Sequence, residues 1–164
     1  MKYFTTYWKN DTWKRRAEEA KHGNKKIDYA AADCFKKRGV ERGSVVFIVT
    51  DIEGVMFLGG YIKVHEILDI NDAARYLGKS EDKLRQSKDY VVAERGKEID
   101  FIDNYEVPLL EAKKLMLING KGFKPLLYDK DKLKQQTLRY PARILCYNSG
   151  ELLLSLLHQR EGRK

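Results

Sequence analysis

Runs of apolar and β-branched residues mark the expected strands of this chain. Residues 3–9, YFTTYWK, are aromatic and β-branched, which is typical of a strand. Alternation along a strand sends successive side chains to opposite faces. The expected faces are Tyr3, Thr5, Tyr7 and Lys9 on one side and Phe4, Thr6, Trp8 and Asn10 on the other.

Two longer apolar runs, Val45–Thr50 and Val55–Val64, surround the short polar segment Asp51–Gly54. This arrangement predicts a β-hairpin with a turn that ends in glycine. The pair Gly59-Gly60 inside the second run indicates a bulge or a close backbone approach. We expect the hairpin to pack beside the 3–9 strand, because both are apolar, β-rich and otherwise unpaired.

The other predicted elements are short and alternate in type. Strands are expected at residues 90–94, 99–105 and 144–147. Helices are expected at residues 13–21, 30–37, 73–77, 81–86 and 109–117, and a last helix is expected after Ser149. Asp28 is the expected cap of the second helix and Gly39 its end, Pro108 suits the first turn of the fifth, and Ser149 is the expected cap of the last. This order favours a single α+β domain that spans residues 1–164. We expect a small, strongly bent barrel of five or six mostly antiparallel strands with peripheral helices, and not a parallel sheet.

Composition narrows the class of protein. A hydrophobic content of 43% with 11% aromatic residues excludes a disordered chain. No apolar run approaches the roughly 18 residues of a membrane span, and the N-terminal residues carry no apolar signal-like segment. Cys34 and Cys146 form neither a CxxC pair nor a metal-binding spacing, so we expect reduced thiols in a cytoplasmic protein.

The positive charge is concentrated in the two end segments. Residues 1–26 hold eight basic and three acidic residues, a net charge of +5, and residues 121–164 hold ten and four, a net charge of +6. The middle of the chain is therefore net negative. If the fold brings the two segments together, they form one basic face, which is the electrostatic signature of a polyanion partner.

Catalytic motifs are weak in this sequence. The three histidines are far apart and fit no metal-binding motif, and the chain contains no GxSxG, Walker or GxGxxG sequence. Metal-dependent nucleases use acidic residues followed by Glu-x-Lys, and Asp100 or Asp103 with Glu111 and Lys113 is the nearest match. We expect no enzyme activity, no metal and no cofactor, with a nuclease or nucleotide-modifying enzyme as the enzymatic alternative.

Aromatic and basic residues are interleaved near the N-terminus. Both tryptophans, two tyrosines and a phenylalanine lie within residues 3–13, among Lys9, Asn10 and the run Lys14–Arg16. Stacking a base requires flat rings, and holding its phosphate requires Arg or Lys. A second basic segment, residues 132–143, adds Arg139 and Arg143. Packing in the core remains the alternative role for the tryptophans.

An ordered set of short motifs resembles the EVE-type members of the PUA-like superfamily. These motifs span most of the chain, although residues 69–98 match no part of the pattern. They are Thr5–Trp8, Trp13, Asp33–Phe35, Arg38–Val40, Gly43–Thr50, Leu58–Gly60 and Gln136–Arg139. The resemblance implies a pseudo-barrel of five or six strands, related to the YTH, ASCH and SRA-like domains that bind RNA or DNA. Several EVE-like domains recognise a modified base that is flipped out of its stack, which agrees with the interleaved aromatic residues.

The resemblance also implies a base pocket. Its expected residues are Tyr7, Trp8, Asn10 and Trp13, with Gln136, Thr137 and Arg139 near the rim, and we add Tyr29 and Asp33 from the segment before the hairpin. The expected phosphate-binding residues are Lys9, Lys14, Arg15, Arg16, Arg139 and Arg143. The predicted partner is DNA or RNA carrying a modified base. A small-molecule or protein-interaction module is a further alternative, and salt dependence separates it from a polymer binder.

Overall fold

The computed structural model describes residues 1–163, in which ten strands and four α-helices form. The strands are β1 (Tyr3–Tyr7), β2 (Tyr29–Ala32), β3 (Val45–Ile52), β4 (Val55–Leu68), β5 (Asp89–Ala93), β6 (Met116–Asn119), β7 (Gly122–Pro125), β8 (Tyr128–Asp129), β9 (Lys132–Leu133) and β10 (Arg143–Leu145). The helices are α1 (Asn10–Lys21), α2 (Ile70–Leu77), α3 (Leu109–Ala112) and α4 (Tyr147–Glu161), with 3₁₀ turns at Glu81–Lys83 and Gln135–Thr137.

Eight of these strands form one sheet in the order β2-β5-β4-β3-β1-β10-β6-β7, and β8 pairs with β9. Every pairing is antiparallel except that of β1 with β3. The fold is therefore α+β with a mostly antiparallel sheet, as predicted, but the main sheet has eight strands and not the expected five or six. The strand order is open, with β2 and β7 at its two edges. The predicted hairpin is confirmed as β3 and β4, and β3 lies directly beside β1.

Strand β1 lies between two hydrophobic cores because both of its faces carry large apolar side chains. Tyr3 and Tyr7 pack in one core, where Tyr3 stacks on Phe47 with ring centroids 6.1 Å apart. Phe4 and Trp8 pack in the other core. The predicted alternation is thus confirmed from Tyr3 to Trp8, but the strand ends at Tyr7, and Asn10 begins α1 and lies on the side of Tyr7, not on that of Trp8. Consecutive residues at the end of β1 consequently face different parts of the molecule.

The glycine pair in β4 provides the predicted bulge. The register between β3 and β4 shifts at Ile48/Val49, and Gly59 is left out of the pairing. A Cβ on Gly59 would lie 2.7 Å from the ring of Phe101 and 2.8 Å from that of Trp13. Real Cβ atoms do not approach other atoms this closely, so only glycine admits these two rings to the sheet.

Two predicted elements in the first part of the chain are wrong, and the helix expected at residues 81–86 is only a 3₁₀ turn at Glu81–Lys83. The expected helix at residues 30–37 is instead β2 followed by turns, because β2 pairs with β5 and buries Ala30 and Ala32 in the core. This burial outweighs the helix propensity of alanine. The expected strand at residues 99–105 forms only an isolated bridge between Lys26 and Asp100. Its backbone bonds are divided between the segment before β2 and Gly59, so no ladder forms.

Two further elements differ near the end of the chain. The helix expected at residues 109–117 ends at Ala112, because Met116–Asn119 pairs with β10 and β7 as strand β6. The last helix begins at Tyr147, so Ser149 lies in its first turn and does not cap it. The Ser149 hydroxyl instead accepts the backbone N–H of Met116 at 2.8 Å, which joins the helix to the sheet.

Buried tyrosines are expected to make the fold sensitive to alkaline pH. Burial raises the pKa of six phenols: Tyr3, Tyr7, Tyr61, Tyr90, Tyr105 and Tyr128. A raised pKa in the folded state means that folding favours the neutral phenol. The stabilisation is complete below the ordinary tyrosine pKa of about 10 and is lost as pH rises through the higher folded values.

We therefore expect the free energy of unfolding in urea to be steady up to about pH 10 and to fall above it. Absorbance of the phenolate at 295 nm should rise mainly with unfolding. A full phenolate signal near pH 10 from a protein that stays folded would contradict this prediction.

In the part of the chain that the structure describes, no helix has the length and apolar character needed to cross a membrane.

Candidate functional site

A cleft of about 420 Å³ lies beside helix α1, and we call it the basic cleft. Two aromatic rings line it, those of Trp8 and Tyr29. Seven charged side chains also line it: Arg15, Arg16, Lys79, Lys83 and Arg85 are basic, and Glu19 and Asp28 are acidic. The charged lining is therefore net positive by three. Rings and cations thus meet in one concave site.

Three separate parts of the chain build the basic cleft. Trp8 follows the last residue of β1, and α1 then begins at Asn10 and carries Arg15 and Arg16. Tyr29 is the first residue of β2. The third part is the loop after α2, in which Gly78 adopts a left-handed conformation with φ of 66° and ends the helix before Lys79. The loop then brings Lys83 and Arg85 to the cleft.

Each ring of the basic cleft has a cation over one face. The guanidinium of Arg16 lies 5.9 Å from the Trp8 ring centroid, and the ammonium of Lys79 lies 5.2 Å from that of Tyr29. Arg16 also donates to Glu19 at 2.6 Å and to the carbonyl of Lys26 at 2.7 Å, and its side chain is 11% exposed. Lys79 pairs with the Asp28 carboxylate at 2.9 Å and is 33% exposed. Arg16 is therefore held in place more firmly than Lys79.

Two cations of the cleft are available to a ligand. Arg15 pairs with Glu19 at 2.7 Å. By contrast, Lys83 and Arg85 form no ion pair within residues 1–163. Both side chains are exposed. An anionic group that enters the cleft can therefore bind them without first breaking a salt bridge.

Trp13 corrects the sequence prediction, because it lies in the core and not in the pocket. Its side chain is 3% exposed and meets Phe101 edge to face, with ring centroids 4.8 Å apart. Its indole N–H donates to the carbonyl of Asp103 at 3.1 Å. The residue lies on the face of α1 that packs against the sheet, where the Gly59 gap admits its ring. Its hydrogen-bonding and stacking groups are thus already used.

Tyr7 and Asn10 lie in a second, smaller recess of about 260 Å³, which Lys9, Asp11 and Arg139 also line. The Tyr7 hydroxyl donates to Asp51 at 2.9 Å, and the Thr50 hydroxyl donates to the Asn10 side chain at 3.1 Å. Alternation along β1 separates Tyr7 from Trp8 and explains the two sites. This recess has one basic residue from each end segment, Lys9 and Arg139, whereas the cations of the basic cleft come from residues 15–16 and 79–85 and none from residues 121–164.

The other predicted pocket residues do not line the basic cleft. Asp33 accepts the backbone N–H of Lys88 at 2.9 Å. The Thr137 hydroxyl is held by its own loop, since it donates to the Lys134 carbonyl and accepts from Leu127. Gln136 is exposed beside it. These polar groups were expected to recognise a base, but those of Asp33 and Thr137 bind nearby backbone instead.

Four of the six predicted phosphate-binding residues lie outside the cleft: Lys9 and Arg139 line the recess, and Lys14 and Arg143 line neither site. Arg143 packs 3.9 Å from the ring centroid of Tyr140 and donates to the Thr137 carbonyl at 3.1 Å. Burial lowers the pKa of its guanidinium. Lys14 is exposed on α1, whereas its neighbours Arg15 and Arg16 line the cleft.

The sequence missed the residues contributed by the loop after α2. Lys79, Lys83 and Arg85 belong to residues 69–98, the stretch that matches no part of the EVE-type pattern. A cluster of exposed lysines and arginines in a loop is also typical of an ordinary solvated surface. The local pattern indicated the end of a helix near Gly78, but only the tertiary fold places the following cations opposite α1.

Two of the three acidic residues considered for nuclease chemistry, Asp100 and Glu111, pair with lysine. Asp100 lies 2.8 Å from Lys26 and 3.4 Å from Lys25, and its hydrogen bond with Lys26 lowers the pKa of its carboxyl. Glu111 pairs with Lys114 at 3.1 Å, and Lys113 pairs with Asp131 at 2.8 Å. Within the described residues, no group of three or more His, Cys, Asp or Glu side chains is placed to hold a metal ion.

Residues of α1 line both the cleft and the recess. No family model, curated protein or solved structure matches this chain. We therefore infer its function from the side chains that line the cleft.

Proposed function

We propose that this chain is a nucleic-acid-binding module of the EVE type in the PUA-like superfamily, and that the basic cleft receives a flipped-out base. One observation carries the proposal: two aromatic rings and five cations line a single cleft of about 420 Å³. A flipped nucleotide needs both a ring to stack on and cations for its phosphates. The partner is DNA or RNA, with a modified base as the favoured target.

Tyr29 is the proposed stacking surface, because Trp8 is the more deeply buried of the two rings that line the cleft. Only 7% of Trp8 is exposed, and its ring packs 5.5 Å from that of Phe101. Tyr29 is half-buried and is covered by the more exposed cation, Lys79. A cation over an exposed ring contributes about 0.5–1 kcal/mol, whereas a stacked base contributes about 1–3 kcal/mol. A base that replaces Lys79 therefore gains stacking energy and releases a cation for phosphate.

The proposal includes a pseudo-barrel, and the path of β4 supports it. This strand of fourteen residues pairs with β3 along Val55–Lys63 and then with β5 along Val64–Leu68. Its register shifts between Val64 and Glu66, and bulges of this kind bend a sheet. The bent sheet brings β2, with Tyr29, toward the end of β1, where Trp8 lies.

The proposal predicts different effects from ring and cation variants. Tyr29→Ala should weaken oligonucleotide binding about ten- to a hundredfold at every salt concentration, because stacking is lost. Lys83→Ala should weaken it mainly at low salt and reduce the slope of log K against log salt by about one. Tryptophan fluorescence follows both titrations, with single-stranded oligonucleotides that do or do not carry a modified base.

Two matched variants control this experiment. Tyr29→Phe keeps the ring and should bind almost as the wild type does. Lys121→Ala removes an exposed lysine that does not line the cleft and should leave the salt slope unchanged. The proposal is wrong if the folded wild-type protein binds no oligonucleotide at low salt, or if Tyr29→Ala binds with wild-type affinity.

A further inference from the structure

We propose that Asp28 recognises the base in the basic cleft, and that this base presents two adjacent N–H donors, as the Watson–Crick edge of guanine does. The inference rests on the proposed function, since it requires a base in the cleft. It concerns the edge of the base, and is independent of where any modification lies.

The position of Asp28 next to the proposed stacking surface is fixed by the fold. It directly precedes Tyr29, and its backbone carbonyl accepts the N–H of Ala93 at 3.1 Å. Its side chain is 28% exposed and lines the cleft. A base stacked on Tyr29 therefore has its hydrogen-bonding edge within reach of this carboxylate.

The carboxylate of Asp28 also has unused acceptor capacity. Lys79 donates to Oδ2 at 2.9 Å, and Oδ1 has no hydrogen-bond partner among the residues described. The other acid of the cleft, Glu19, is already bound by Arg15 and Arg16 through its two oxygens. A carboxylate has about four lone-pair sites, so Asp28 can accept two more donors whether Lys79 stays paired with it or moves to a phosphate. Because a phosphate would be repelled here, the fitting ligand group is a donor.

The arrangement of donors distinguishes guanine from the other bases. Guanine carries an imino N–H and an amino group side by side, which matches the two oxygens of a carboxylate. Adenine and cytosine offer an amino group beside an unprotonated ring nitrogen, and uracil and thymine offer one N–H between two carbonyls. Each of these would place a lone pair against the carboxylate. The guanine edge is exposed only when the base is unpaired, as it is after flipping.

Inosine provides the sharpest probe, because it is guanosine without the exocyclic amino group. Two thymidine oligonucleotides, one with a single central guanine and one with inosine there, are titrated against the wild-type protein. A bidentate contact predicts that guanine binds about five- to a hundredfold more tightly. Asp28→Asn should remove this preference, because the amide replaces one acceptor with a donor. Asp33→Asn, on the same segment but outside the cleft, should keep it.

A Lys79→Met variant separates direct recognition from an indirect effect on the lysine. If Asp28 contacts the base, Lys79→Met weakens both oligonucleotides and keeps their affinity ratio. If Asp28 acts only by holding Lys79, the ratio is lost in Lys79→Met as well, and the inference is overturned. Equal binding of guanine and inosine by the wild type overturns it too, while the proposed function stands. Failure of both oligonucleotides to bind overturns the proposed function itself.

Discussion

Gly150→Ala is expected to destabilise the protein by about 3 kcal/mol or more, since overpacking a rigid site is costly. Gly150 lies in the first turns of α4, where the helix crosses β1. A Cβ at this position would lie 2.0 Å from Cγ and 2.6 Å from Cβ of Tyr3. These atoms are near the Tyr3 backbone, which is held by β3 on one side and β10 on the other. The ring cannot move away without disturbing the sheet.

Urea unfolding of Gly150→Ala and Gly162→Ala tests this expectation. Gly162 ends α4 with φ of −70°, and a Cβ there would come no closer than 3.7 Å to the nearest atom. Its substitution should be neutral or stabilise the protein by a few tenths of a kcal/mol up to about 1 kcal/mol. Similar midpoints and slopes for the two variants would show that α4 does not pack on Tyr3 this closely.

Trp13→Ala is expected to cost about 3–5 kcal/mol of stability, the range for removing a large buried aromatic side chain. The substitution empties the space above Gly59 and removes the edge-to-face contact with Phe101. It also leaves the Asp103 carbonyl without its indole donor. Chemical denaturation measures the loss. A Trp13→Ala variant with the same denaturant midpoint as the wild type would contradict the core position of this residue.

A milder variant determines whether Trp13 also takes part in binding. Trp13→Phe keeps a ring against Phe101 and removes the hydrogen bond to Asp103, so it should fold with reduced stability. Its oligonucleotide affinity should equal that of the wild type, whereas Tyr29→Ala should lose affinity about ten- to a hundredfold. A loss of affinity in Trp13→Phe with unchanged stability would show that Trp13 contacts the ligand.

Local pattern was sufficient to predict the central strands. The alternation of residues 3–9 and the two apolar runs around Asp51–Gly54 identify β1, β3 and β4, because each run is long and its period is clear. The segment Tyr29–Ala32 is different. Its three alanines favour a helix, and only the pairing with β5, some sixty residues later, makes it a strand. Sequence pattern contains no measure of such distant pairing.

The part of the candidate site that comes from one short stretch of sequence was predicted, and the part that comes from a distant loop was not. Trp8, Arg15 and Arg16 lie within one short stretch, so their common role was visible in the sequence. The sequence did not distinguish the positions of the two tryptophans. In the structure Trp8 follows the end of a strand, whereas Trp13 lies on the sheet-facing side of a helix. The opposite wall of the cleft comes from the loop after α2. No local signal connects that loop with α1.

The position of β1 in the sheet also has a consequence for protein synthesis. Its partner on one side, β3, is made early, but its partner on the other, β10, comes from residues 143–145. Until residues 143–145 have been synthesised, β1 therefore has one unpaired, apolar edge, and unpaired edges of this kind are prone to aggregation. A chain released before Arg143 retains that edge permanently. Arrival of β10 is thus the step that protects the nascent chain from aggregation at this edge.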